Sequence, residues 1–379
     1  MRVALVRQRY TPFGGAERFV ERALPALERA GAELTLIARR AEGWGARRFL
    51  RVDPFFLGNA WRDWSFARAA RRAWRAGGFD LVQSHERIAG CSVYRAGDGV
   101  HAQWLEIRRE SAGRLERLGM RLNPYHAYVR AAERRMFLDP ALRAVICNSA
   151  MVRDEIQRRF GLPADKLHVI YNGVDLAYFS AAHREGLRGA ARGEFGLTGE
   201  APAFLLVGSG FARKGLDAAI AALAACADRT AVLLVAGKDR HAGRYAALAE
   251  RLGVGGRVRL LGAHPDVRPL YAAADVFLLP TRYDPFPNTA LEALAMGLPV
   301  IVGRRCGAAE VVEQGVNGWI GDPSDPAALA QVMERAAAAV GDAARRATMQ
   351  AAARRTAERF GLEDMARQLT ELYARLGAR

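Results

Sequence analysis

Short apolar runs alternate with longer amphipathic stretches along this chain. In the first half, β-rich runs predict buried strands at 2–7, 33–38, 80–84 and 144–148. Helical patterns at 16–30 and 151–160 follow the first and the last of these runs. The second half repeats the alternation, with predicted strands at 204–208, 232–237, 258–262, 276–280 and 299–303 and predicted helices at 216–227, 241–252, 267–274 and 288–296. A β-α-β alternation predicts the α/β class, with parallel sheets covered by helices on both faces.

The length of 379 residues is more than one hydrophobic core usually organises, so two domains are expected. Residues 171–176, which contain NGVD, are expected to connect domain 1–172 to domain 173–359. Residues 181–200 are expected to form a loop with a short helix. The tail from 342 is helical in pattern, and its last part, about 360–379, is expected to pack back on the first domain. Two consecutive α/β domains predict a ligand-binding cleft between them.

Composition narrows the class of protein. About half of the residues are apolar, and no run approaches the length of a membrane span. The N-terminus shows no secretory cleavage pattern, and the four cysteines occur singly, which favours a reducing cytoplasmic location. The net charge is +16, and residues 1–160 hold 30 arginines and 17 acids, a net of +13 against +3 for the rest. An anionic partner for the first half is one explanation, and an arginine-rich genome is the other.

The stretch 204–215, FLLVGSGFARKG, predicts a strand, a glycine-bearing loop and a helix start. Backbone N–H groups and the positive end of a helix then face an anion, and Arg213 with Lys214 adds two cations suited to a diphosphate. The pattern is neither a Walker P-loop nor a dinucleotide fingerprint, because Leu216 follows Gly215 and an arginine occupies the third glycine position. A solvated basic turn is the alternative.

A second candidate site is the stretch 284–292, DPFPNTALE, which follows a predicted strand. Asp284 lies in the loop and Glu292 about one turn into the helix, so both carboxylates can face one ligand and accept hydrogen bonds from a sugar or ribose diol. The helix start near Asn288 and Thr289 favours phosphate. The alternative is a turn-forming aspartate and an exposed helical acid.

Two further loops are weaker candidates. Gly14 and Gly15 follow the first strand and let the backbone approach a ligand closely, although a plain tight turn explains them equally well. In VYRAGDGVH, Asp98 or His101 could orient or deprotonate an acceptor hydroxyl. A turn aspartate and a capping histidine are the structural alternative.

Residues 102–137 combine eight arginines and four acids with interleaved apolar side chains. This pattern predicts a basic amphipathic helical hairpin suited to the surface of an anionic membrane. Two core-facing helices with solvated charges are the alternative.

In this order the motifs resemble the family 4 retaining glycosyltransferases, which have the GT-B fold of two Rossmann-like, doubly wound domains facing across a cleft. The resemblance rests on GGAER, NGVD, VGSGFARKG, the acid-x7-Glu element 284–292, and ALAMGLPVI with NGWIGDP. Within the family, YTPFGGAER, VYRAGDGVH and GSGFARKGLD are most similar to the enzymes that add the first glucose to the heptose region of the lipopolysaccharide core in Gram-negative bacteria. Those relatives use a nucleotide sugar, usually UDP-glucose, and associate peripherally with the cytoplasmic face of the inner membrane.

The resemblance implies a role for each matching residue. Arg213 and Lys214 are expected to bind the donor diphosphate, Glu292 the ribose diol and Asp284 the hydroxyls of the donor sugar. The family has glutamate where this chain has Asp284, which is one methylene shorter, so the identity of the donor sugar stays open. The remaining implied contacts are Gly14 and Gly15 at the phosphate and acceptor side, Phe286, Asn288 and Thr289 at the donor, and Asp98 and His101 at the acceptor.

Catalysis without a metal or cofactor is expected, because two cations stabilise the departing diphosphate and the chain has no Asp-x-Asp element. Retention implies either same-face attack or a short-lived enzyme adduct. The alternatives are a family 4 transferase for capsule or exopolysaccharide, a nucleotide-sugar 2-epimerase, and a non-catalytic nucleic-acid binder. The last lacks a recognisable binding module, so no nucleic acid is expected as a partner.

Overall fold

The computed structural model describes residues 1–10, 24–25, 27–29, 31–45, 47–197, 199 and 201–377. The chain forms two compact units: Met1–Asn172 together with Leu362–Arg379, and Gly173–Gly361. The assignment of the first unit to an acceptor and the second to a nucleotide sugar stays a prediction. Gly14 and Gly15, and most of the helix predicted at 16–30, lie outside the described residues.

The first unit is built around a parallel sheet. Its described strands are β1 (Arg2–Val6), β2 (Arg9–Tyr10), β3 (Glu33–Ala38), β4 (Arg40–Ala41), β5 (Arg48–Arg51), β6 (Leu81–Ser84), β7 (Val93–Arg95), β8 (Ala144–Cys147) and β9 (Leu167–Val169). Seven of them pair in the order β5-β3-β1-β6-β7-β8-β9, and β2 pairs with β4 separately. The central strands are buried on both faces, which explains their continuous apolar sequences.

The described helices of the first unit are α1 (Gly58–Gly77), α2 (His101–Ser111), α3 (Arg114–Leu122), α4 (Pro124–Phe137) and α5 (Ala150–Phe160). Helix α1 was not predicted from the sequence, although Phe66, Ala70 and Trp74 lie at helical spacing and are buried in the core of the unit. The hairpin predicted at 102–137 is three helices instead, because Ala112–Gly113 and Asn123 interrupt the helical backbone.

The second unit carries a six-stranded parallel sheet. Its strands, in the order β12-β11-β10-β13-β14-β15, are β10 (Ala203–Val207), β11 (Val232–Ala236), β12 (Val258–Gly262), β13 (Val276–Leu279), β14 (Val300–Gly303) and β15 (Gly318–Gly321). Its helices are α6 (Ala181–Glu194), α7 (Phe211–Lys214), α8 (Leu216–Ala225), α9 (Ala242–Arg251), α10 (Arg268–Ala273), α11 (Asn288–Ala295), α12 (Pro326–Gly341) and α13 (Ala343–Glu358). Short 3-10 turns lie at Ala164–Lys166 in the first unit and at Gly255–Arg257 and Gly307–Val311 in the second.

The tail divides between the two units. Helix α13 packs on α11 and α12 and belongs to the second unit, whereas α14 (Leu362–Gly377) belongs to the first. Leu369, Leu372 and Tyr373 join the core around β1, and the Tyr373 hydroxyl donates to Gln83 Oε1 at 2.7 Å. Helix α6 is also longer than expected, since its arginines anchor it to the second unit. Arg184, for example, donates to the Ala274 carbonyl at 3.1 Å.

Candidate functional site

Two loops of the second unit meet at one edge of its sheet. Strands β10 and β13 are parallel neighbours, so the segments that follow them, 208–215 and 280–287, leave from the same carboxyl edge. This edge is where open α/β sheets bind ligands. The two predicted donor motifs, VGSGFARKG and DPFPNTALE, are therefore brought together.

The loop before Arg213 depends on glycine geometry. Gly210 and Gly215 have φ of 76° and 74°, a left-handed conformation that side chains rarely adopt. A Cβ on Gly215 would also lie 2.0 Å from the Pro280 carbonyl oxygen, so the backbones of the two loops approach each other closely. On the other side, the Phe211 N–H donates to Asp239 Oδ2 at 2.8 Å. These contacts fix the direction of the two cations that follow.

Arg213, Lys214 and Asp284 form one ion-paired cluster. Lys214 Nζ lies 2.6 Å and Arg213 Nη1 2.9 Å from the same carboxylate oxygen, Asp284 Oδ2. Lys214 and Asp284 are buried, whereas Arg213 is partly exposed. The Thr281 hydroxyl donates to the Arg213 carbonyl at 2.8 Å and so ties the loops together beside the cluster.

The electrostatics of this cluster favour an anion. Burial alone would raise the pKa of Asp284, but attraction and hydrogen bonds from Lys214 and Arg213 outweigh it and hold that pKa below its usual value. The carboxylate is therefore ionised near neutral pH, and the three groups together carry a net charge of +1. An excess positive charge at the carboxyl edge of a sheet is suited to phosphate oxygens.

The second predicted acid, Glu292, lies in α11 and is buried. Its Oε2 accepts a hydrogen bond of 3.0 Å from the Tyr271 hydroxyl, so Tyr271 is a positioning residue that the pattern analysis missed. Asn288 begins the helix, and the buried Oγ1 of Thr289 has no hydrogen-bond partner among the described residues. A buried polar atom of this kind at a helix N-terminus is consistent with a ligand that supplies the partner.

Phe286 occupies a structural position in the same loop. Its side chain is buried, and its ring centroid lies 6.1 Å from that of Phe360. The side chain therefore braces the loop between Asp284 and α11. Its role as a donor contact stays a prediction.

The first unit contains a polar pocket. Its volume is about 150 Å³, and its lining includes Asp98 together with Asp63, Glu86, Arg87 and Tyr125. Strands β6 and β7 are parallel neighbours, and Glu86 and Asp98 follow their carboxyl ends. Carboxylates, a guanidinium and aromatic rings around one small cavity are the groups that hold a sugar with several hydroxyls.

Glu86 is a candidate residue that the pattern analysis missed. Burial raises the pKa of Glu86, and the negative charges of Asp98 and Asp63 oppose ionisation further, although a hydrogen bond from the Gln8 N–H at 2.9 Å lowers the pKa in part. A carboxyl group with a raised pKa beside other acids is typical of a functional site. The sequence feature that could have indicated Glu86 is its place two residues after a buried strand, in QSHER.

His101 lies next to this pocket but is not among its lining residues. It is the first residue of α2, where its N–H donates to Glu133 Oε1 at 2.9 Å, and its Nε2 lies 3.2 Å from His126 Nδ1. Burial and the nearby Arg87, His126 and Arg130 lower the pKa of His101 to about 4. The imidazole is therefore neutral at pH 7 and a weak base.

Two family models account for most of the chain. "Glycosyltransferase Family 4" matches residues 13–178, and "Glycosyl transferases group 1" matches residues 201–339. The chain belongs to the family 4 glycosyltransferases.

Curated relatives of this glycosyltransferase include enzymes of lipopolysaccharide synthesis. Lipopolysaccharide glucosyltransferase WaaG of Escherichia coli is 27% identical over 89% of both chains, and LpsE of Rhizobium meliloti is 28% identical over 85% of both. A D-inositol 3-phosphate glycosyltransferase of Xylanimonas cellulosilytica is 31% identical, but the match covers 61% of this chain and only 56% of that relative. The chain is thus a hexosyltransferase related to lipopolysaccharide enzymes.

Solved structures show the same fold. WaaG matches over 98% of this chain and 99% of its own, with a TM-score of 0.84 and 24% identity. Anabaena HepE in complex with UDP and glucose matches over 99% of both chains, with a TM-score of 0.73 and 20% identity. The predicted GT-B class, with two Rossmann-like α/β units, is confirmed.

The described residues contain neither a candidate metal cluster nor a helix that could cross a membrane. Within the described ranges, no group of three or more His, Cys, Asp or Glu side chains could hold a metal ion. Over the same part of the chain, every helix is too short or too polar to span a bilayer.

Proposed function

We propose that this enzyme is a retaining glycosyltransferase that transfers glucose from UDP-glucose to a heptose of the lipopolysaccharide core, without a metal. The observation that carries the proposal is the cluster of Arg213, Lys214 and Asp284 at the carboxyl edge of the second sheet. The relatives WaaG, a lipopolysaccharide glucosyltransferase, and LpsE, a lipopolysaccharide core glycosyltransferase, support the donor and acceptor classes, and the HepE complex supports a UDP-sugar.

In the donor step, the bond between the anomeric carbon and the diphosphate oxygen breaks, and negative charge develops on the leaving phosphate. Lys214 and Arg213 supply fixed positive charge where that charge develops, which lowers the barrier without a metal. Their present partner, Asp284, would then turn one carboxylate oxygen toward the sugar hydroxyls. Glu292, held by Tyr271, would accept from the ribose diol.

In the acceptor step, a sugar hydroxyl attacks the anomeric carbon and loses its proton. The pocket of Asp63, Glu86 and Asp98 would hold that hydroxyl by accepting hydrogen bonds. His101 is a poor base at neutral pH because of its lowered pKa, so we assign it to positioning of α2 rather than to proton transfer. Retention places the incoming oxygen on the face that the diphosphate leaves, where a phosphate oxygen can take the proton.

The location that we propose is the cytoplasmic face of the inner membrane. Helix α3 presents exposed leucines flanked by arginines to the solvent, which suits an anionic lipid surface. A family 4 transferase for capsule or exopolysaccharide remains the competing assignment, and only the acceptor distinguishes the two.

The proposal is tested by incubating the enzyme with UDP-glucose and heptose-terminated lipopolysaccharide and recording the proton NMR spectrum of the product. We expect an α-glucoside, which retains the configuration of the donor. Asp98→Asn should lower the transfer rate by roughly 100-fold if its carboxylate orients the acceptor. The exposed Asp165→Asn serves as the matched control and should transfer at the wild-type rate. A β-glucoside, or no transfer to this acceptor, would contradict the assignment.

A further inference from the structure

Half of the residues that line a second cavity of the first unit are arginines. Its volume is about 380 Å³, and it lies against helices α1 and α4. Its lining includes Trp64 and Tyr128 but no acidic residue. Small apolar side chains form part of the lining, and six arginines contribute guanidinium groups: Arg68, Arg71, Arg72, Arg75, Arg87 and Arg135.

Four of these arginines form one face of α1. Arg68, Arg71, Arg72 and Arg75 are spaced i, i+3, i+4 and i+7, so their side chains are neighbours on the helix surface. Like charges at these spacings repel each other and destabilise a helix. The fold of α1 depends on the opposite face, through Phe66, Ala70 and Trp74, and does not require this row of charge.

Among the described residues, only one guanidinium group of the cavity has a side-chain or carbonyl partner. Arg87 is ion-paired with Glu133 at 3.0 Å. The other five donate no side-chain hydrogen bond and form no ion pair with any described residue. Some arginines elsewhere are paired, as on α6, where Arg188 donates to Asp275 Oδ1 at 2.5 Å, and others are exposed without a side-chain partner among the described residues, as Arg345 of α13 is; these five differ in lining one cavity.

The cationic cavity adjoins the pocket that contains Asp98. Four residues line both: Arg87, Ile88, Tyr128 and Ala132. A ligand whose hydroxyls occupy the carboxylate pocket would therefore place a neighbouring substituent among the arginines. Guanidinium groups bind phosphate oxygens through paired, charge-assisted hydrogen bonds, and Trp64 and Tyr128 offer faces for a sugar ring.

We propose that this cavity is a binding site for phosphate monoester groups, and that these are carried by the acceptor. The proposal rests on the assignment of the Asp98 pocket to the acceptor under the proposed function. It specifies the acceptor as a phosphorylated saccharide, with the phosphate bound by Arg68, Arg71 and Arg72 and the reacting hydroxyl near Asp98. Free phosphate and the headgroup of an anionic lipid offer related chemistry, and the test separates them from a sugar phosphate.

The test is a calorimetric titration of the full-length enzyme with glucose 6-phosphate, with glucose and inorganic phosphate as separate probes. Each titration is repeated in saturating UDP, which would occupy the donor site. The variant is Arg68→Gln/Arg72→Gln. The matched control is Arg345→Gln/Arg355→Gln, which removes the same charge from exposed positions of α13. Circular dichroism and UDP affinity establish that both variants are folded.

We expect glucose 6-phosphate to bind to the wild type and the control, more tightly than inorganic phosphate, while glucose does not bind. UDP should leave this binding intact, and Arg68→Gln/Arg72→Gln should weaken it by at least about tenfold, since each charge-assisted hydrogen bond contributes strongly. If the wild type does not bind UDP, the proposed donor site is contradicted. The glucose 6-phosphate comparison can still be interpreted, because Arg68 and Arg72 lie in the first unit.

Three results would overturn the proposal. These are no binding of glucose 6-phosphate to folded wild type, equal weakening in both variants, or complete displacement by UDP. In a parallel arm, vesicles of phosphatidylglycerol and of phosphatidylcholine are sedimented with each protein. A loss of phosphatidylglycerol binding in Arg68→Gln/Arg72→Gln, without any change in glucose 6-phosphate binding, would assign the cavity to a lipid headgroup instead.

Discussion

Asp284 connects the chemistry of the donor site to its stability. The carboxylate is buried and accepts from both Lys214 and Arg213, so it holds in place the two cations that would meet the diphosphate. A buried ion pair stabilises little relative to apolar residues of the same size, but the loss of one partner leaves the other charge buried and uncompensated. The short side chain of Asp284 thus reaches both cations directly.

This pairing predicts the pH dependence of one variant. Unfolded aspartate ionises near pH 3.9, and in the folded protein the pKa of Asp284 is lower. A lowered folded pKa contributes stability that is present above the unfolded pKa and lost as the pH falls through the folded one. Asp284→Asn should therefore lower the urea-unfolding free energy at pH 7, and the difference from wild type should shrink below about pH 4.

The control for this measurement is Asp165→Asn, which changes an exposed carboxylate of the first unit and should follow the wild-type curve at every pH. A difference between Asp284→Asn and wild type that stays constant from neutral to acidic pH would show that the carboxylate is not paired as described.

At the residue scale, the sequence indicated candidate donor residues where two charged residues occur together in one short motif. Arg213 with Lys214 and Asp284 with Glu292 each stand in a short motif beside a strand, and the fold brings the two motifs together. Glu86 was missed because its significance depends on Asp98, twelve residues away, and on burial that raises its pKa. No local pattern contains that information.

At the element scale, α3 is the helix that best fits a membrane surface. Leu115, Leu118 and Leu122 are 87%, 51% and 70% exposed, and they lie on one side of the helix at spacings of three and four residues. Arg114, Arg117 and Arg121 each precede one of these leucines, so the arginines flank the apolar stripe. Exposed leucines in such a row exceed the isolated apolar residues that ordinary surfaces carry.

The corresponding prediction concerns binding to vesicles that contain phosphatidylglycerol. Leu115→Ser/Leu122→Ser should weaken sedimentation with these vesicles by at least about tenfold, because each buried leucine contributes about 1.5–3 kcal/mol of transfer free energy. The variant should unfold like the wild type, since both leucines are exposed.

Leu252→Ser/Val316→Ser removes two exposed apolar side chains of the second unit and serves as the matched control. Equal vesicle binding by wild type and both variants would exclude α3 as the contact surface.

Helix α1 shows why some elements were not predicted. Arginines and alanines dominate its sequence, so the apolar positions Phe66, Ala70 and Trp74 are widely spaced among residues of weak signal. The strands of the second unit were easier to predict from the sequence, because strands of sheets buried on both faces are continuous apolar runs. The spacing of the arginines of α1 at i, i+3, i+4 and i+7 is visible in the sequence. That they line a cavity depends on α4, which packs against the same side of α1.

At the scale of the whole molecule, charge and chemistry divide between the two units. The first 160 residues carry a net charge of +13, and the arginines of α1, α3 and α4 account for much of it. The second unit is nearly balanced in charge, and its Arg213–Lys214 loop places two cations around the single carboxylate of Asp284. The alternating pattern predicted both α/β units, because each sheet is a series of strand–helix repeats. From the sequence, only the last part of the tail, about 360–379, was expected to pack on the first domain; in the structure α13 belongs to the second unit and α14 to the first.

The most direct test of the central claim is the calorimetric titration of the purified enzyme with UDP and a panel of UDP-sugars, beside Arg213→Ala/Lys214→Ala and the charge-matched Arg345→Ala/Arg355→Ala. We predict micromolar binding of UDP-glucose to the wild type and the control, and loss of that binding in Arg213→Ala/Lys214→Ala. Absence of nucleotide-sugar binding by folded wild type, or equal affinity in all three proteins, would contradict the donor site proposed here.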